Sequence, residues 1–429
     1  MPFRALGLDD RIFKAVQEAG YTEPTPIQAA AIPQILAGHD LIGIAQTGTG
    51  KTAAFTLPIL AKLSGAIASG NQRGTKALIV APTRELVVQI EENVRAYSRH
   101  LPLRMATVFG GVGERPQIEA LRSQVDIVIA TPGRLLDLAR HADFSRLSFL
   151  VLDEADRMLD MGFLPPIRRI VKMLPTTRQT LMFSATMSKE IQALTHEFQR
   201  SPKTVEIGRR SNPAETVTQF IYEVPKHLKP SLLAHLLKDA TLDSVLVFTR
   251  TKHGADRVAR KLESGGIKTG TLHSNRSQNQ RLRALKEFKD GQLRVLVATD
   301  IAARGIDVDG ISHVVNFDFP MHAEDYVHRI GRTGRAQAVG DAISFVTSED
   351  HGALRSLERF IGRGIVRKKA EGFDYSVAAP PMSEEPRGER RFSGRPQGGP
   401  RGGQSRGGGQ RSGGGNRGGG GGHRGGRAR

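Results

Sequence analysis

Short apolar runs alternate with helix-length amphipathic stretches along most of the chain, and this alternation constrains the fold more than any other feature. The runs are rich in β-branched residues and apolar throughout, which is typical of strands buried on both faces of a parallel sheet. We predict strands over residues 40–45, 77–81, 126–130, 149–152 and 179–183, and again over 244–248, 293–297, 313–316 and 342–345. The pattern therefore predicts an α/β fold with two βαβ-built domains in tandem.

Two stretches differ in composition from these domains. The segment around residues 208–214 is polar and rich in helix and strand breakers, which is typical of a linker. Residues 386–429 contain 19 glycines and 11 arginines, with Glu389 as their one acid. So few apolar side chains cannot offset the chain entropy, so we predict a disordered tail. The predicted boundaries are 1–207 and 216–367 for the two domains, 208–215 for the linker and 368–429 for the tail.

Charge and cysteine content exclude several classes of protein. The chain carries 62 basic and 43 acidic side chains, a net charge of +19, and more than half of that excess lies in the arginine-rich tail. It has no cysteine, which excludes a disulfide scaffold, a Cys-ligated zinc site and a cysteine nucleophile. Its apolar runs are far shorter than the ~20 residues of a membrane span, and no charged-then-apolar leader opens the chain. We therefore expect a soluble, basic, cytoplasmic protein that has no membrane partner.

A glycine-rich loop follows the first predicted strand and precedes a predicted helix from Thr52 onward. Its glycines let backbone N–H groups face phosphates, and the helix N-terminus adds positive potential. Lys51 can reach the β and γ phosphates of a nucleotide, and the Thr52 hydroxyl can ligate Mg²⁺. Ala45 stands where the phosphate-loop motif has its first glycine, a change that leaves this geometry intact. The predicted nucleotide contacts are Ala45, Gln46, Thr47, Gly48, Thr49, Gly50, Lys51 and Thr52.

The tetrapeptide Asp153-Glu-Ala-Asp156 directly follows the predicted strand 149–152. A carboxylate at the C-terminal end of a buried parallel strand faces the crevice in which α/β proteins bind ligands. Asp153 is therefore predicted to hold Mg²⁺, and Glu154 to orient or deprotonate the attacking water. Taken alone, the tetrapeptide would also fit an acidic surface loop, but its combination with the upstream phosphate loop favours the catalytic interpretation.

These motifs resemble those of DEAD-box ATP-dependent RNA helicases over about residues 3 to 365. The blocks arrive in the order of that family: residues 20–28 with Phe3 upstream, 45–52, 82–86, 110–111, 131–134, 153–156, 184–186, 247–250, 278–281, 298–307 and 328–335. The short N-terminus and the Arg/Gly tail further resemble the bacterial RhlE-like branch. The resemblance implies two tandem RecA-like domains with an interdomain cleft, ATP and Mg²⁺ as cofactors, and RNA as the partner.

The resemblance also implies how the adenosine is held. The Gln28 amide can pair with the N6/N7 edge of adenine, and Tyr21 can stack on the ring. Phe3 resembles the aromatic residue upstream of this motif. In the second domain, Gly305 and Asp307 are assigned to the nucleotide, with Asp307 at the ribose.

Two arginines of the second domain resemble arginine fingers that approach the γ-phosphate when the domains close. Arg332 and Arg335 are three apart, so on a helix they would project from one face. Such a finger is worth roughly 10³–10⁵ in rate in GTPases. By resemblance, four further residues couple the nucleotide state to closure: Asp156, Ser184, Thr186 and His328.

Resemblance assigns the RNA contacts to both domains. Hydroxyls, glycine N–H groups and arginines suit phosphate and sugar oxygens and carry no base code, so we expect sequence-independent recognition. The assigned residues are Arg84, Gly111, Thr131, Gly133 and Arg134 in the first domain and Thr249, Arg250, Arg281 and Thr299 in the second.

The expected function is RNA-stimulated ATP hydrolysis coupled to domain closure and to local unwinding of short RNA duplexes. Two alternatives remain at this point: an ATP-dependent motor on DNA, and an RNA chaperone that acts mainly through its tail. Arginine without lysine in the tail favours base stacking with phosphate contact. By analogy with the family, the RNA substrates could belong to ribosome assembly, RNA decay or cold adaptation, and the sequence does not indicate an oligomeric state.

Overall fold

The computed structural model describes residues 2–46, 48–68, 74–207, 217–303, 310–334 and 340–378. These residues contain two seven-stranded sheets whose neighbouring strands are all parallel. Both sheets belong to one compact unit, Met1–Ala379. The predicted linker at 208–215 and residues 379–429 of the predicted tail lie outside the described residues.

The first domain contains seven strands and nine helices among the described residues. Its strands are β1 (Leu41–Ile44), β2 (Ala77–Val80), β3 (Met105–Val108), β4 (Ile127–Ala130), β5 (Phe149–Leu152), β6 (Gln179–Ser184) and β7 (Lys203–Glu206). Its helices are α1 (Asp10–Glu18), α2 (Pro26–Leu36), α3 (Lys51–Ala68), α4 (Arg84–Tyr97), α5 (Arg115–Arg122), α6 (Pro132–Leu138), α7 (Ala155–Asp160), α8 (Leu164–Lys172) and α9 (Lys189–Phe198). Short 3₁₀ helices span Phe3–Leu6 and Ala139–His141.

The second domain contains seven strands and six helices among the described residues. Its strands are β8 (Val217–Glu223), β9 (Val245–Thr249), β10 (Thr269–Leu272), β11 (Val295–Thr299), β12 (His313–Asn316), β13 (Gly340–Val346) and β14 (Val366–Lys368). Its helices are α10 (Lys229–Leu236), α11 (Lys252–Ser264), α12 (Gln278–Lys289), α13 (Asp300–Ala303), α14 (Ala323–Ile330) and α15 (His351–Ile361). Short 3₁₀ helices span Lys226–Leu228 and Ser348–Asp350.

The two sheets have the same topology. The first has the order β3-β4-β2-β5-β6-β1-β7, and the second has β10-β11-β9-β12-β13-β8-β14, which is the same order displaced by seven strands. The two parallel α/β domains predicted from the sequence are confirmed. All nine predicted strands are present, and each lies in the interior of its sheet.

Both faces of each sheet are buried, as apolar strands without alternation require. In β2, Ala77 and Ile79 join the cluster on one face, whereas Leu78 and Val80 join the cluster on the other. In the second sheet, Val245 and Leu246 of β9 are divided between two clusters in the same way. The strand ends are therefore fixed rigidly, which gives the loops that follow them a firm support.

The chain stays packed beyond residue 367, where the sequence predicted the tail to begin. Strand β14 ends at Lys368, and Ala370, Phe373 and Tyr375 pack against the apolar cluster beneath α10. His235 Nε2 lies 2.9 Å from the carbonyl oxygen of Glu371. The aromatic side chains explain the difference, because they supply the apolar surface that the glycine-rich segment lacks. None of the helices in the described ranges has both the length and the apolarity needed to cross a membrane.

Candidate functional site

The candidate site residues of the first domain follow the carboxyl ends of its parallel strands, and the strand order divides them into two groups. The phosphate loop follows β1, Asp153 follows β5, and β6 ends at Ser184. Arg84 lies beyond β2, Gly111 beyond β3 and Thr131 directly after β4. Strands β5, β6 and β1 lie together in one half of the sheet, and strands β3, β4 and β2 form the other half. The predicted nucleotide residues and the predicted RNA residues therefore lie next to each other along the carboxyl ends of the strands.

The phosphate loop has the backbone shape that a phosphate cradle needs. Gly48 and Gly50 adopt φ angles of +84° and +90°, a region that glycine enters without strain. Helix α3 begins at Lys51, so its N-terminal N–H groups face the same loop. Lys51 is buried, and its ammonium donates a hydrogen bond to the carbonyl oxygen of Ala45 at 2.7 Å. The cation is thus held inside the loop, where a phosphate would meet it.

The Gln28 amide connects the motif predicted to bind adenine to this loop. Its Nε2 donates to the carbonyl oxygen of Gly50 at 3.2 Å, and its Oε1 accepts from the backbone N–H of Thr25 at 2.9 Å. A Cβ at position 50 would collide with the same amide, so Gly50 is needed for close approach as well as for its φ angle. The adenine contact that we predict for Gln28 stays a prediction.

The other predicted adenosine residues differ in exposure. Tyr21 is 37% exposed, and its hydroxyl accepts a hydrogen bond from Tyr97 at 3.1 Å. Phe3 is 1% exposed and belongs to the main apolar cluster of the first domain, so the contact predicted for it is also untested. In the loop itself, Gln46 is exposed, and Thr49 donates to the carbonyl oxygen of Gln46 at 2.7 Å.

The carboxyl end of β5 carries two buried acids. Burial raises the pKa of Asp153 to about 7, Lys51 opposes the rise, and Glu154 adds to it. Glu154 adopts a left-handed conformation with φ +53°, which is uncommon for a residue with a side chain and often marks functional sites. Its carboxylate lies 3.1 Å from Arg157 Nη1, in an ion pair with both side chains buried. This pair holds Glu154 in one direction next to Asp153.

The residues present fit a magnesium-bound triphosphate. Asp153 supplies a buried carboxylate and Thr52 a hydroxyl at the start of α3, both of which are oxygen ligands that Mg²⁺ prefers. Within the described residues, no three His, Cys, Asp or Glu side chains converge on one point. Asp153 and Thr52 match the one or two protein ligands that Mg²⁺ usually takes together with phosphate oxygens and water.

Asp156 binds the end of β6. Its Oδ2 accepts hydrogen bonds from the backbone N–H groups of Ala185 and Thr186 at 3.0 and 3.1 Å, and lies 3.4 Å from the Thr186 hydroxyl. The Ser184 hydroxyl donates to the carbonyl oxygen of Thr186 at 2.8 Å. Three of the four predicted coupling residues thus form one hydrogen-bonded group at the junction of β5 and β6.

The fourth coupling residue reaches this group from the second domain. His328 and Arg332 line a small pocket of about 20 Å³ together with Arg157 of the first domain. Burial and then the nearby Arg157 lower the pKa of His328, whereas Asp156 acts in the opposite direction. Helix α14 ends at Ile330, so Arg332 lies in the turn after it and not on the helix face expected from the three-residue spacing. Gly331 is the C-cap of this helix, and Gly334, three residues further along, has φ +67°.

A dense network fixes the helix that presents His328. The Arg329 guanidinium, which is 4% exposed, donates to both carboxylate oxygens of Asp300 at 2.6 and 2.8 Å. It also donates to Asn316 Oδ1 at 3.0 Å and to the carbonyl oxygen of Asp318 at 2.8 Å, and lies over the Phe248 ring. Helix α14 is therefore bound to the ends of β9, β11 and β12.

The RNA residues predicted in the first domain lie together. A Cβ on Gly111, which has φ +81°, would collide with the Arg84 guanidinium. Arg134 Nη1 donates to the carbonyl oxygen of Val112 at 3.2 Å. Burial, Arg281 and Arg134 lower the pKa of Arg84, so several cations share this region. Thr131 occupies the N-cap position of α6 without a side-chain capping bond, and Gly133 lies in the first turn of that helix with open space around it.

The RNA residues predicted in the second domain follow β9 and β11 or lie on α12. Thr249 ends β9 and Thr299 ends β11. The backbone N–H of Arg250 donates to Asp318 at 2.8 Å, which fixes the start of the loop, and its guanidinium donates to the carbonyl oxygen of Phe319 at 3.3 Å. Arg281 reaches back to the first domain.

Glu85 is a site residue to which the sequence assigned no role. It is 4% exposed, and it lies 3.2 Å from Arg281 Nη2 and accepts a hydrogen bond from Gln278 Nε2 at 2.8 Å. One acid of α4 thus joins both domains among the predicted RNA arginines. The available signal was its place in the block 82–86, as an acid directly beside Arg84. Four predicted site residues lie outside the described ranges: Thr47, Gly305, Asp307 and Arg335.

Comparisons with known proteins agree with this geometry. A family model described as DEAD/DEAH box helicase matches residues 25–194, and one described as helicase conserved C-terminal domain matches residues 228–337. The chain is 43% identical to DEAD-box ATP-dependent RNA helicase 30 of Arabidopsis thaliana, over 94% of this chain and 68% of that one. It is 40% identical to the DEAD-box ATP-dependent RNA helicase CshA of Bacillus anthracis, over 87% and 70% of the two chains.

Solved structures match across both domains. S. cerevisiae Dbp5 bound to RNA and ADP BeF3 has a TM-score of 0.77 and 29% identity, with 86% of this chain and 95% of that chain covered. Mss116p bound to single-stranded RNA and AMP-PNP has a TM-score of 0.78 and 29% identity, with 86% and 78% covered. Both sheets are therefore RecA-like. The finer resemblance to the RhlE-like branch stays a prediction. The chain belongs to the DEAD-box ATP-dependent RNA helicases, which bind RNA and hydrolyse ATP.

Proposed function

We propose that this helicase hydrolyses ATP in response to RNA, and that closure of its two domains couples hydrolysis to local unwinding of short RNA duplexes without regard to sequence. The observation that carries the proposal is the small pocket lined by Arg157 of the first domain and by His328 and Arg332 of the second. A catalytic centre divided between two domains is complete only when they meet, which is how induced fit makes turnover depend on a ligand.

The roles of the first-domain residues follow from where they lie. Lys51 would exchange its bond to the Ala45 carbonyl for one to the β and γ phosphates. Glu154, oriented by Arg157, would position or deprotonate the attacking water. Asp153 and Thr52 would hold Mg²⁺, which when bound neutralises charge on the phosphate oxygens. Asp156 would transmit changes at the nucleotide to residues 184–186 through its three hydrogen bonds.

The second domain would supply positively charged side chains at the terminal phosphate. Arg332 and Arg335 would approach the terminal phosphate on closure and stabilise the charge that develops there. RNA would favour closure because its backbone contacts arginines and hydroxyls of both domains, and the Glu85–Arg281 contact lies among them. The bound strand would bend at this surface, so that a short duplex loses base pairs. We place the protein in the cytoplasm, with ribosome assembly, RNA decay or cold adaptation as its setting.

The proposal is tested by measuring ATP turnover with and without RNA. We expect strong stimulation by RNA, no turnover in Lys51→Ala, and a loss of roughly 10³-fold or more in Arg332→Ala and Arg335→Ala at saturating ATP. Arg260→Ala, an exposed change on α11, is the matched control and should keep wild-type turnover. An ATP turnover rate that does not depend on RNA, or full turnover in Arg335→Ala, would contradict the proposal that domain closure controls hydrolysis.

A further inference from the structure

Helix α15 of the second domain carries a row of arginines on its outer face. Its inner face is apolar: Leu354, Leu357 and Ile361 pack in a cluster with residues of α14. Arg355 and Arg359 are four residues apart and therefore lie on one side of the helix. Arg363 follows the glycine that ends the helix and lines the same groove. All three arginines are exposed.

The arginines line a surface groove of about 880 Å³. Three glycines share the lining, namely Gly352, Gly362 and Gly364, so the backbone is open to close approach there. Among the described residues that line it, one is acidic, and that acid is engaged. Glu358 accepts a hydrogen bond from the backbone N–H of Ile365 at 3.0 Å and lies 3.5 Å from Arg367. The groove is therefore strongly electropositive.

The groove is separate from the site described above. Tyr326 and Ile330 of α14 pack towards α15. His328 and Arg329 of the same helix line the small pocket that includes Arg157 of the first domain. Helix α14 thus lies between the arginine groove and the domain junction, and no residue of the groove belongs to that junction in the part of the chain that the structure describes.

We propose that this α15 groove is a second RNA-binding surface, which holds phosphodiester backbone outside the domain cleft. Arginine forks match phosphate oxygens in a bidentate manner, and the glycines leave room for the polymer. The described lining presents three arginines against one engaged acid, so its charge fits a polyanion, and we commit to RNA as that polyanion rather than to an acidic peptide. The inference rests on RNA being the polymer on which the chain acts.

The test compares full-length variants by fluorescence anisotropy with two RNAs, an 8-nucleotide single strand and the same strand joined to a 20-base-pair hairpin. The groove variant combines Arg355→Ala, Arg359→Ala and Arg363→Ala. The control combines Arg257→Ala, Arg260→Ala and Lys261→Ala, which removes the same charge from exposed positions of α11. Both variants keep the tail, so its contribution is equal. Titrations at several salt concentrations are made with AMP-PNP.

We expect the groove variant to bind the hairpin RNA about tenfold more weakly and to reduce the salt slope by about two to three, with the short strand and the control unaffected. Equal losses of hairpin affinity in the groove and control variants would mean that only the total charge of the protein matters, and this would overturn the proposal. Unchanged hairpin binding, or an equal loss with the short strand, would also overturn it. The proposal would also be overturned if the three arginines were needed for the binding of polyglutamate but not for the binding of RNA. If wild type shows no RNA-stimulated turnover, the proposed function fails instead.

Discussion

Glu85 of the first domain and Arg281 of the second form an ion pair of 3.2 Å among side chains expected to bind RNA. Both are almost fully enclosed, because their side chains are 2% and 14% exposed. Gln278 adds a hydrogen bond to the same carboxylate at 2.8 Å. An acid at a surface predicted to bind a polyanion would weaken that binding unless it serves another purpose. Here Glu85 joins the two domains.

Glu85→Ala should therefore raise the RNA concentration that gives half-maximal ATPase stimulation by about tenfold, because a buried charge pair across the domains is lost. Glu85→Gln should fall between this variant and wild type, since its amide can still accept from Gln278. The measurement is ATP turnover across an RNA titration. Glu92→Ala, an exposed change on the same helix, is the control. An unchanged half-maximal RNA concentration in Glu85→Ala would exclude a role in closure.

Gly111→Ala should weaken RNA binding about tenfold. The new methyl group would collide with the Arg84 guanidinium, and the φ of +81° disfavours any residue with a Cβ. Gly113→Ala is the matched control in the same loop, because its nearest neighbour, Pro116, lies 3.9 Å away. RNA affinity is measured by anisotropy and ATP affinity with a fluorescent nucleotide. If both affinities fall together, the loop has misfolded and Arg84 is not specifically displaced.

Asp153→Asn should stabilise the protein in the absence of metal and nucleotide. Burial raises the pKa of Asp153 to about 7, above the ordinary value of 3.8. Between these pH values the folded state binds a proton that the unfolded state lacks, so this group's contribution to stability falls as pH rises towards 7. The variant should therefore melt higher than wild type at pH 8 in EDTA, with the difference shrinking towards pH 5.

The control for this prediction is Asp137→Asn, an exposed change on α6. It should leave the melting temperature close to wild type at each pH. A difference between Asp153→Asn and wild type that does not depend on pH would mean that burial of the charge is not the cause. The same variant should lose ATP turnover at every pH.

Arg329→Lys should destabilise the second domain by about 2–4 kcal/mol. A lysine ammonium cannot span the two Asp300 oxygens, the Asn316 side chain and the Asp318 carbonyl that the guanidinium binds together. Thermal unfolding measures the loss. Arg260→Lys, on the exposed face of α11, should change the free energy of unfolding by less than about 0.5 kcal/mol. Equal melting temperatures for Arg329→Lys and Arg260→Lys would show that the Arg329 network contributes little to the free energy of unfolding.

Deletion of residues 386–429 should weaken RNA binding and flatten its dependence on salt, because the segment contributes 11 of the chain's arginines. Maximal ATP turnover at saturating RNA should stay at the wild-type value, since the predicted catalytic residues belong to the two domains. The slope of affinity against salt concentration, on logarithmic axes, measures the first effect. Loss of saturated turnover would assign the tail a catalytic role.

Most interior strands of the two sheets could be predicted from their apolar runs, whereas the strands at the edges of the sheets could not. The nine strands predicted from apolar runs are interior strands, whereas four of the five missed strands are the sheet edges: β3, β7, β10 and β14. Lys203–Glu206 of β7 is almost wholly exposed and carries two charged residues, so no apolar run marks it. The fifth, β8, is an interior strand but not an uninterrupted apolar run, because it contains Thr218, Gln219 and Glu223, of which Thr218 and Glu223 are exposed.

The motifs located the phosphate loop and the two acids after β5, because both depend on local sequence. Contacts between distant segments could not be located in this way. Nothing in residues 82–86 indicates that Glu85 meets Gln278, which lies 193 positions further along the chain. Likewise, the spacing of Arg332 and Arg335 suggested a shared helix face, but glycine at 331 ends the helix first.

The repeated strand order allows the loops that follow equivalent strands to be compared. Strand β8 occupies in the second sheet the place that β1 has in the first. The residues after β1 include Gly48 and Gly50, whereas those after β8 run Val224-Pro225-Lys226-His227 and contain no glycine. Pro225 has no backbone N–H to donate, and the chain continues directly into the 3₁₀ helix Lys226–Leu228 instead of a glycine-rich loop. The glycine-rich loop after β1 therefore has no counterpart after β8, so the duplication of the strand order does not extend to that loop.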